Sequence, residues 1–491
     1  MHKKQSFIGG AAVLAAASVL CKIIGAVYKI PLDRFFLHES GIAIYQGVCS
    51  VYNIFLAICV TGIPIALSGL IARADRKEEA DLCRSAFVSV TLFCAVSALL
   101  LYVFSDYVAK LLSGGELMGA EAVRVMAPSL LLMGVISSSR GYFQGHSEML
   151  PSALSQVAES LIKAGAGILI CASLLHKGVE KGAAGAMLGV TAGAFAAAAV
   201  LFVFYKRDGL KGGKFSIKKT KEILKLSIPV TLGAFWFTAA LFADSLTVNN
   251  ILAFSGKEAS ERLRLFGFLS RSNIVYNLPA AIITAITASI VPVVSAGKAA
   301  GDGEKISENI SRAIKLIFFV AAPCSFGLML FSPQIFKILF SQADEPFLLV
   351  FTGLLVFTLP LFQTTTGILQ ALGCIWRPII FGCAAVIVKT VLNFALIPKI
   401  GIYGASIATF TAFFVAAIIN FLMLGKYTEL KNSISPVLKL IICAAVSCGA
   451  ARLLYSVRIS NVMFLVSIAF AAVSYIVLAF CSRAIRKQDI L

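Results

Sequence analysis

Charge is scarce in this chain. Only 14% of its 491 residues are Asp, Glu, Lys or Arg, against about 25% in ordinary soluble domains, which places it outside the soluble globular class. Acidic residues are scarcer still, 24 against 43 Lys and Arg, and there are four His and two Trp. The twelve cysteines form no Cys-x-x-Cys pair and fall singly, chiefly inside apolar runs, as Cys21, Cys59, Cys94, Cys171, Cys383 and Cys443 do. That pattern reads as buried free thiols and not as a metal centre or a disulfide framework. No Walker sequence, nucleophile elbow or pair of catalytic carboxylates is present, so nothing points to an ATPase, a hydrolase or a cofactor. The ten-residue alternation of an outer-membrane barrel is missing too.

What the chain does have is apolar length. Hydrophobic residues make up 59% of it, in runs of about 20 to 30 residues, each able to cross a hydrocarbon core about 30 Å thick. Fourteen spans are expected: 7–33, 42–72, 84–109, 122–145, 152–175, 182–205, 223–253, 264–297, 310–332, 346–373, 378–397, 402–425, 436–456 and 460–482. Lys3 and Lys4 before Phe7 imitate a signal peptide, but the run continues past Lys22 to Ile30 without a cleavage site, so it is expected to remain as the first span. The net charge of +19 is spread between the runs and forms no basic domain. It therefore suggests membrane lipid as a partner and not nucleic acid.

The largest polar interruption, 206–222, carries Lys206, Arg207, Lys211, Lys214, Lys218, Lys219 and Lys221. A cytoplasmic N-terminus places this linker inside, with about twice as many Lys and Arg on that side as outside. An even number of spans then returns the C-terminus, with Arg483, Arg486 and Lys487, to the cytoplasm.

The chain repeats itself across the linker. Arg140-Gly141-Tyr142-Phe143-Gln144 resembles Thr366-Gly367-Ile368-Leu369-Gln370, and each is followed by a proline, Pro151 or Pro378. Lys163 and Lys389 then take corresponding places, and Ala184-Gly185-Ala186 matches Tyr403-Gly404-Ala405. Two parallel six-helix lobes are expected, 1–206 and 223–425, joined by the basic linker 207–222 and followed by two more helices within 436–482. Such repeats commonly rock about a central site near the bilayer midplane.

Charged side chains at membrane depth are costly and usually face a polar cavity. Lys22 and Lys29 lie seven residues apart, two helical turns, on one face of the first span. Lys163, Arg271 and Lys389 add further cations, and together they would suit a pyrophosphate through charge-assisted donors. The competing reading is snorkelling to the interface, which suits Lys29 and Arg271 best. Asp244 interrupts an apolar stretch and calls for a cation partner, Lys29, Lys389 or a bound ion. It reads equally as a gate and as a static ion pair. Glu159 stands one turn before Lys163, a spacing that favours their mutual salt bridge, and Asn393 follows Lys389 at the same spacing. Gly25, Gly62, Gly141 and Gly367 are expected at close helix contacts, and Pro64, Pro229, Pro279 and Pro360 at kinks.

Three N-terminal stretches carry a resemblance: Ser18-Val-Leu-Cys-Lys-Ile-Ile-Gly-Ala-Val-Tyr-Lys-Ile-Pro-Leu32, Gly41-Ile-Ala-Ile-Tyr-Gln46 and Thr61-Gly-Ile-Pro-Ile-Ala-Leu-Ser68. They are similar to the stage V sporulation protein B group of polysaccharide-biosynthesis transporters, in the MOP exporter superfamily beside the MurJ lipid II flippases. The resemblance implies an all-α, MATE-like membrane fold of fourteen helices in a bacterial plasma membrane. It also implies flipping of an undecaprenyl-pyrophosphate-linked peptidoglycan precursor to the outer leaflet, near the cell-wall synthesis machinery. Basic residues of spans one, two and eight line the headgroup cavity in such proteins. This supports Lys22 and Arg271 and, more loosely, Lys29, although span two here has no interior arginine. Some relatives hold sodium with an acid of span seven and polar groups of span eleven. Asp244 and Asn393 match that pattern, while Lys389 stands where a neutral ligand is expected, so its ammonium would replace the ion. Coupling to sodium, to protons or to the membrane potential stays open. The last two helices resemble the element that offers a groove to the lipid tail. The alternatives are export of another lipid-linked oligosaccharide, multidrug export, for which cavity lysines are ill suited, and a cell-envelope scaffold.

Overall fold

The computed structural model describes residues 7–208, 213–341, 345–427, 431–486 and 489. Lys3, Lys4, Lys211 and Lys487, on which part of the charge argument rests, lie outside these residues. Among the described residues helix is the only regular structure, the solution lipid imposes because each segment must satisfy its own backbone.

The chain opens with α1 (Phe7–Val27) and α2 (Lys29–Leu32), passes a π-helical turn at Asp33–Leu37, and continues as α3 (His38–Leu56). A second π turn, Ala57–Thr61, leads into α4 (Gly62–Ile71). This turn lies just before Pro64, whose ring cannot accept regular α geometry in the preceding turn. Then come α5 (Arg76–Val103), α6 (Ser105–Ser113), α7 (Ala120–Gly145), α8 (Met149–Leu174) and α9 (Val179–Asp208). Two long helices, α10 (Ile217–Phe254) and α11 (Ala259–Ala300), follow. The remainder is α12 (Gly303–Leu330), α13 (Ser332–Phe340), α14 (Phe347–Ala371), α15 (Trp376–Ile400), α16 (Tyr403–Leu424), α17 (Lys431–Val457) and α18 (Asn461–Cys481).

Among the described residues thirteen helical runs have the length and hydropathy to cross a membrane, but the first, Ala12–Ile71, has 60 residues. At 1.5 Å per residue it would reach about 90 Å, about three times the hydrocarbon thickness. It must fold back, and it does so at His38, whose φ of +51° takes the backbone out of the helical region. Divided there, the run supplies two crossings and the total becomes fourteen.

Residues Met1–Ser270 and Arg271–Leu491 form two compact units. The boundary falls inside α11, because α10 packs on α3, α4 and α5 and so belongs with the helices before the linker. In the first unit α8 and α9 approach closely. A Cβ on Gly189 would overlap the backbone of Gly167, and one on Gly193 would lie 2.6 Å from the Glu159 carbonyl oxygen. Gly62 is likewise pressed against α10 at Ser227 and Thr231. Gly25, expected at such a contact, has nothing within 4 Å of where its Cβ would stand. In the second unit α17 and α18 close over α12, burying Ile310, Ile314, Leu440, Ala444 and Tyr475. The Tyr475 hydroxyl donates to the Phe319 carbonyl at 3.0 Å.

The short helices α6 and α13 were not visible in the expected spans, which ran through their first residues. Each has nine residues, begins at the serine of a Phe-Ser pair, carries a lysine (Lys110 or Lys337) in its last turn, and ends on a left-handed residue, Gly114 or Ser341. Phe104-Ser105 to Lys110-Leu111-Leu112 thus repeats as Phe331-Ser332 to Lys337-Ile338-Leu339, a further element of the internal duplication. The terminal carbonyls of α6 are met by Asn249 (to Leu112, 2.8 Å) and Asn250 (to Leu111, 2.7 Å), each bond contributing about 1 kcal/mol.

Candidate substrate-binding site

In the first unit the polar groups gather where α1 and α2 meet α3 and α8. Packing of α1 on α8 brings Ser18 to Gln156 at 3.1 Å. Lys29, at the start of α2, donates to Gln46 of α3 at 3.1 Å. The Tyr28 and Tyr45 hydroxyls are hydrogen-bonded to each other beside it. Lys29 and Lys163 act on one another electrostatically, and the Cys49 thiol lies in reach of both. Two ammonium groups are thus held near each other in a half-buried setting. That is unfavourable for an empty site and favourable once an anion bridges them.

Two expectations change here. Lys29 bonds Gln46 and is not the partner of Asp244, because its position in α2 turns it toward α3. Glu159 pairs with Arg140 at 2.9 Å instead of forming a mutual bridge with Lys163. Arg140 reaches across from α7, fixed by a second bond from Nε to the Ser155 hydroxyl at 2.9 Å, and its planar fork outcompetes a lysine on the same helix. The consequence is that, among the described residues, Lys163 has no carboxylate within ion-pair distance. In the sequence Arg140 stands out only as part of a repeat motif; its position five residues inside the expected span is the signal that marks it. Asp33, at the rim of the first span, is fully buried and was not singled out.

Lys22 is exposed, whereas Asp244 of α10 is 5% exposed. In the second unit Arg271, Lys389 and Asn393 are all 0% exposed. Lys389 and Asn393 share one face of α15, one turn apart, as their spacing predicts. The Arg271 guanidinium stands 5.2 Å from the centroid of the Phe340 ring of α13, a cation–π arrangement. One turn further along α11, Val275 begins the lining of an apolar cavity of about 530 Å³ walled by α11, α12, α13, α17 and α18, with Pro279, Phe331, Cys448 and Tyr475 among its residues.

Residues 67–475 match the family model described as "Lipid II flippase MurJ". The chain belongs to the MurJ family. Among its curated relatives it is 30% identical over 459 residues to the uncharacterized membrane protein YabM of Bacillus subtilis (strain 168), covering 91% of this chain and 85% of that one. It is 25% identical over 510 residues to stage V sporulation protein B of the same organism, covering 99% and 97%. The solved structure of lipid II flippase MurJ in an inward closed conformation superposes with a TM-score of 0.75 at 16% identity, over 97% of this chain and all of that one. MurJ membership and this fold make the protein a multi-pass plasma-membrane transporter, a flippase for a lipid-linked precursor, and bear out the resemblance read from the N-terminal stretches.

Proposed function

We propose that this MurJ-family protein moves an undecaprenyl-pyrophosphate-linked peptidoglycan precursor from the inner to the outer leaflet by alternating access. Lys29 and Lys163 receive the pyrophosphate, with Lys22 at the exposed approach and Arg271 as a further cation. Asp244 in the first unit, and Lys389 with Asn393 in the second, act in gating, where protonation or sodium would balance the carboxylate. The apolar cavity beside Arg271 takes part of the polyprenyl tail, and both termini lie in the cytoplasm.

The observation that carries this reading is the like-charged pair Lys29 and Lys163, left without a carboxylate between them because Arg140 holds Glu159. A negative-inside potential favours outward passage of an anion by about 2.3 kcal/mol per charge per 100 mV. For a pyrophosphate with about two charges that is about 4 to 5 kcal/mol per 100 mV. A multidrug exporter of organic cations would place acids at these positions.

The test is translocation of the headgroup in vesicles, with and without an imposed potential. Replacing both Lys29 and Lys163 by Gln is expected to lower the rate by about a hundredfold or more, about what two charged hydrogen bonds contribute. A rate equal to the wild type, at equal protein in the membrane, would remove the pyrophosphate site and leave a scaffold role.

A further inference from the structure

A second cavity, of about 530 Å³, lies in the first unit at the end where α5 begins and α7 and α9 finish. Each helix gives it one stripe at helical spacing: Ala80 to Phe87 on α5, Val135 to Tyr142 on α7, and Ala198 to Tyr205 on α9. The stripes are graded along the helices. Phe87, Val135 and Ala198 line the part toward the membrane centre, while Arg84, Tyr142 and Tyr205 line the part toward the helix ends. Phe87 and Phe202 are exposed, 39% and 61%, so the cavity is flanked by rings open to lipid.

Its polar end has groups left over. Arg84 is exposed, and among the described residues it has no carboxylate within ion-pair distance. The neighbouring Glu79 is bound to His146 at 3.1 Å, and the Tyr205 hydroxyl lies within electrostatic reach of Arg84. Ser138, 5% exposed, lines the cavity with its buried hydroxyl lacking a hydrogen-bond partner. A helical serine normally finds a carbonyl or a ligand, so an orphaned one beside an unpaired guanidinium marks room for an acceptor.

The linker closes the same end. Gly213 lines the cavity and lies so near α5 that a Cβ would overlap the Ala80 carbonyl. The Lys214 amide donates to Asp81 at 2.7 Å, the Ser216 amide to the Ser85 hydroxyl at 3.0 Å, and the Lys219 ammonium to Glu78.

We propose that this cavity binds one phospholipid with an anionic headgroup, taken from the leaflet on the linker side. Its acyl chain lies along Phe87, Val135 and Ala198, and its phosphate is held by Arg84 with hydroxyl donors at the rim. The graded lining fits an amphiphile with its head at the linker end and its chain toward the membrane centre. The site is separate from the Lys29 and Lys163 pair and stands whether or not that pair binds pyrophosphate. Because Gly213 forms part of the wall, the bound lipid also braces the linker against α5.

Native mass spectrometry of the full chain, delipidated and titrated with phosphatidylglycerol, phosphatidylcholine or inorganic phosphate, tests this. One phosphatidylglycerol is expected to bind saturably and about tenfold or more tightly over phosphatidylcholine, the weight of a charge-assisted bond. Arg84→Gln should abolish that preference, and Ala198→Leu, which fills the apolar part, should weaken phosphatidylglycerol while sparing any phosphate binding. Equal retention of the two phospholipids, or displacement of phosphatidylglycerol by millimolar inorganic phosphate alone, would overturn the proposal. So would binding untouched by both variants. Should Arg84→Gln not fold, Ala198→Leu and the wild-type preference still decide it.

Discussion

Helices α8 and α15 hold the same place in the two repeats, and each carries one lysine near its middle, yet the two ammonium groups live differently. Lys163 is half-buried beside a second cation, and the carboxylate one turn away on its own helix is tied to Arg140. Lys389 has no exposed surface, and its neighbour one turn on is the equally buried Asn393. Lysines at corresponding places in the sequence thus lie in two settings, one half-buried and the other closed into the interior. An ammonium closed off from water persists only where the surroundings satisfy it, whereas a half-buried one can wait for a partner.

The sharpest way to break this comparison is to remove the enclosed lysine. Lys389→Ala takes one member from a buried charged arrangement and is expected to cost about 3 to 5 kcal/mol, seen as lower yield and an early thermal unfolding transition in detergent. An unfolding temperature unchanged from the wild type would mean that Lys389 is as dispensable to the fold as a surface residue.

Arg140→Ala comes next, at about 2 to 3 kcal/mol for a charged hydrogen bond lost from a site only 5% and 17% exposed. It also tests why Lys163 is available. With Arg140 gone, Glu159 faces Lys163 at one-turn spacing, so headgroup binding should weaken although no ligand-side cation was changed. Adding Glu159→Gln should restore binding and part of the stability. A double-mutant cycle with no coupling between positions 140 and 159 would show that the ion pair does not set the charge state of the site.

How much of this was legible in the sequence follows from which forces are local. The spans and the one-turn spacing of Lys389 and Asn393 on one face of α15 rest on hydropathy and period, and they appear in the structure as expected. The fold-back at His38 was readable as a gap between apolar runs, although the helix continues up to it on both sides. The nine-residue helices α6 and α13 were hidden because each starts one residue after a long apolar helix ends and is too short to show a period of its own. Only comparing Phe104-Ser105 with Phe331-Ser332 exposes them. Partner choice was the weakest point. Spacing alone gave Glu159 to Lys163, but the decision belongs to α7, which brings a guanidinium across a helix contact that no one-dimensional pattern encodes. Cys59 and Cys94, scattered singly in the sequence, end with their sulfurs 3.2 Å apart for the same reason.

The smallest expected effect completes the comparison. Lys163→Gln keeps the length and hydrogen-bonding capacity of the side chain and removes only its charge. Because Lys163 is half-buried and Glu159 stays satisfied by Arg140, no group is orphaned, and stability should stay within about 0.5 kcal/mol of the wild type. Relief of the repulsion from Lys29 should even offset part of that small loss. Thermal unfolding of the purified variant reads this directly. A loss comparable to that of Lys389→Ala would show that Lys163 is structural, and the two repeats would then use their lysines alike.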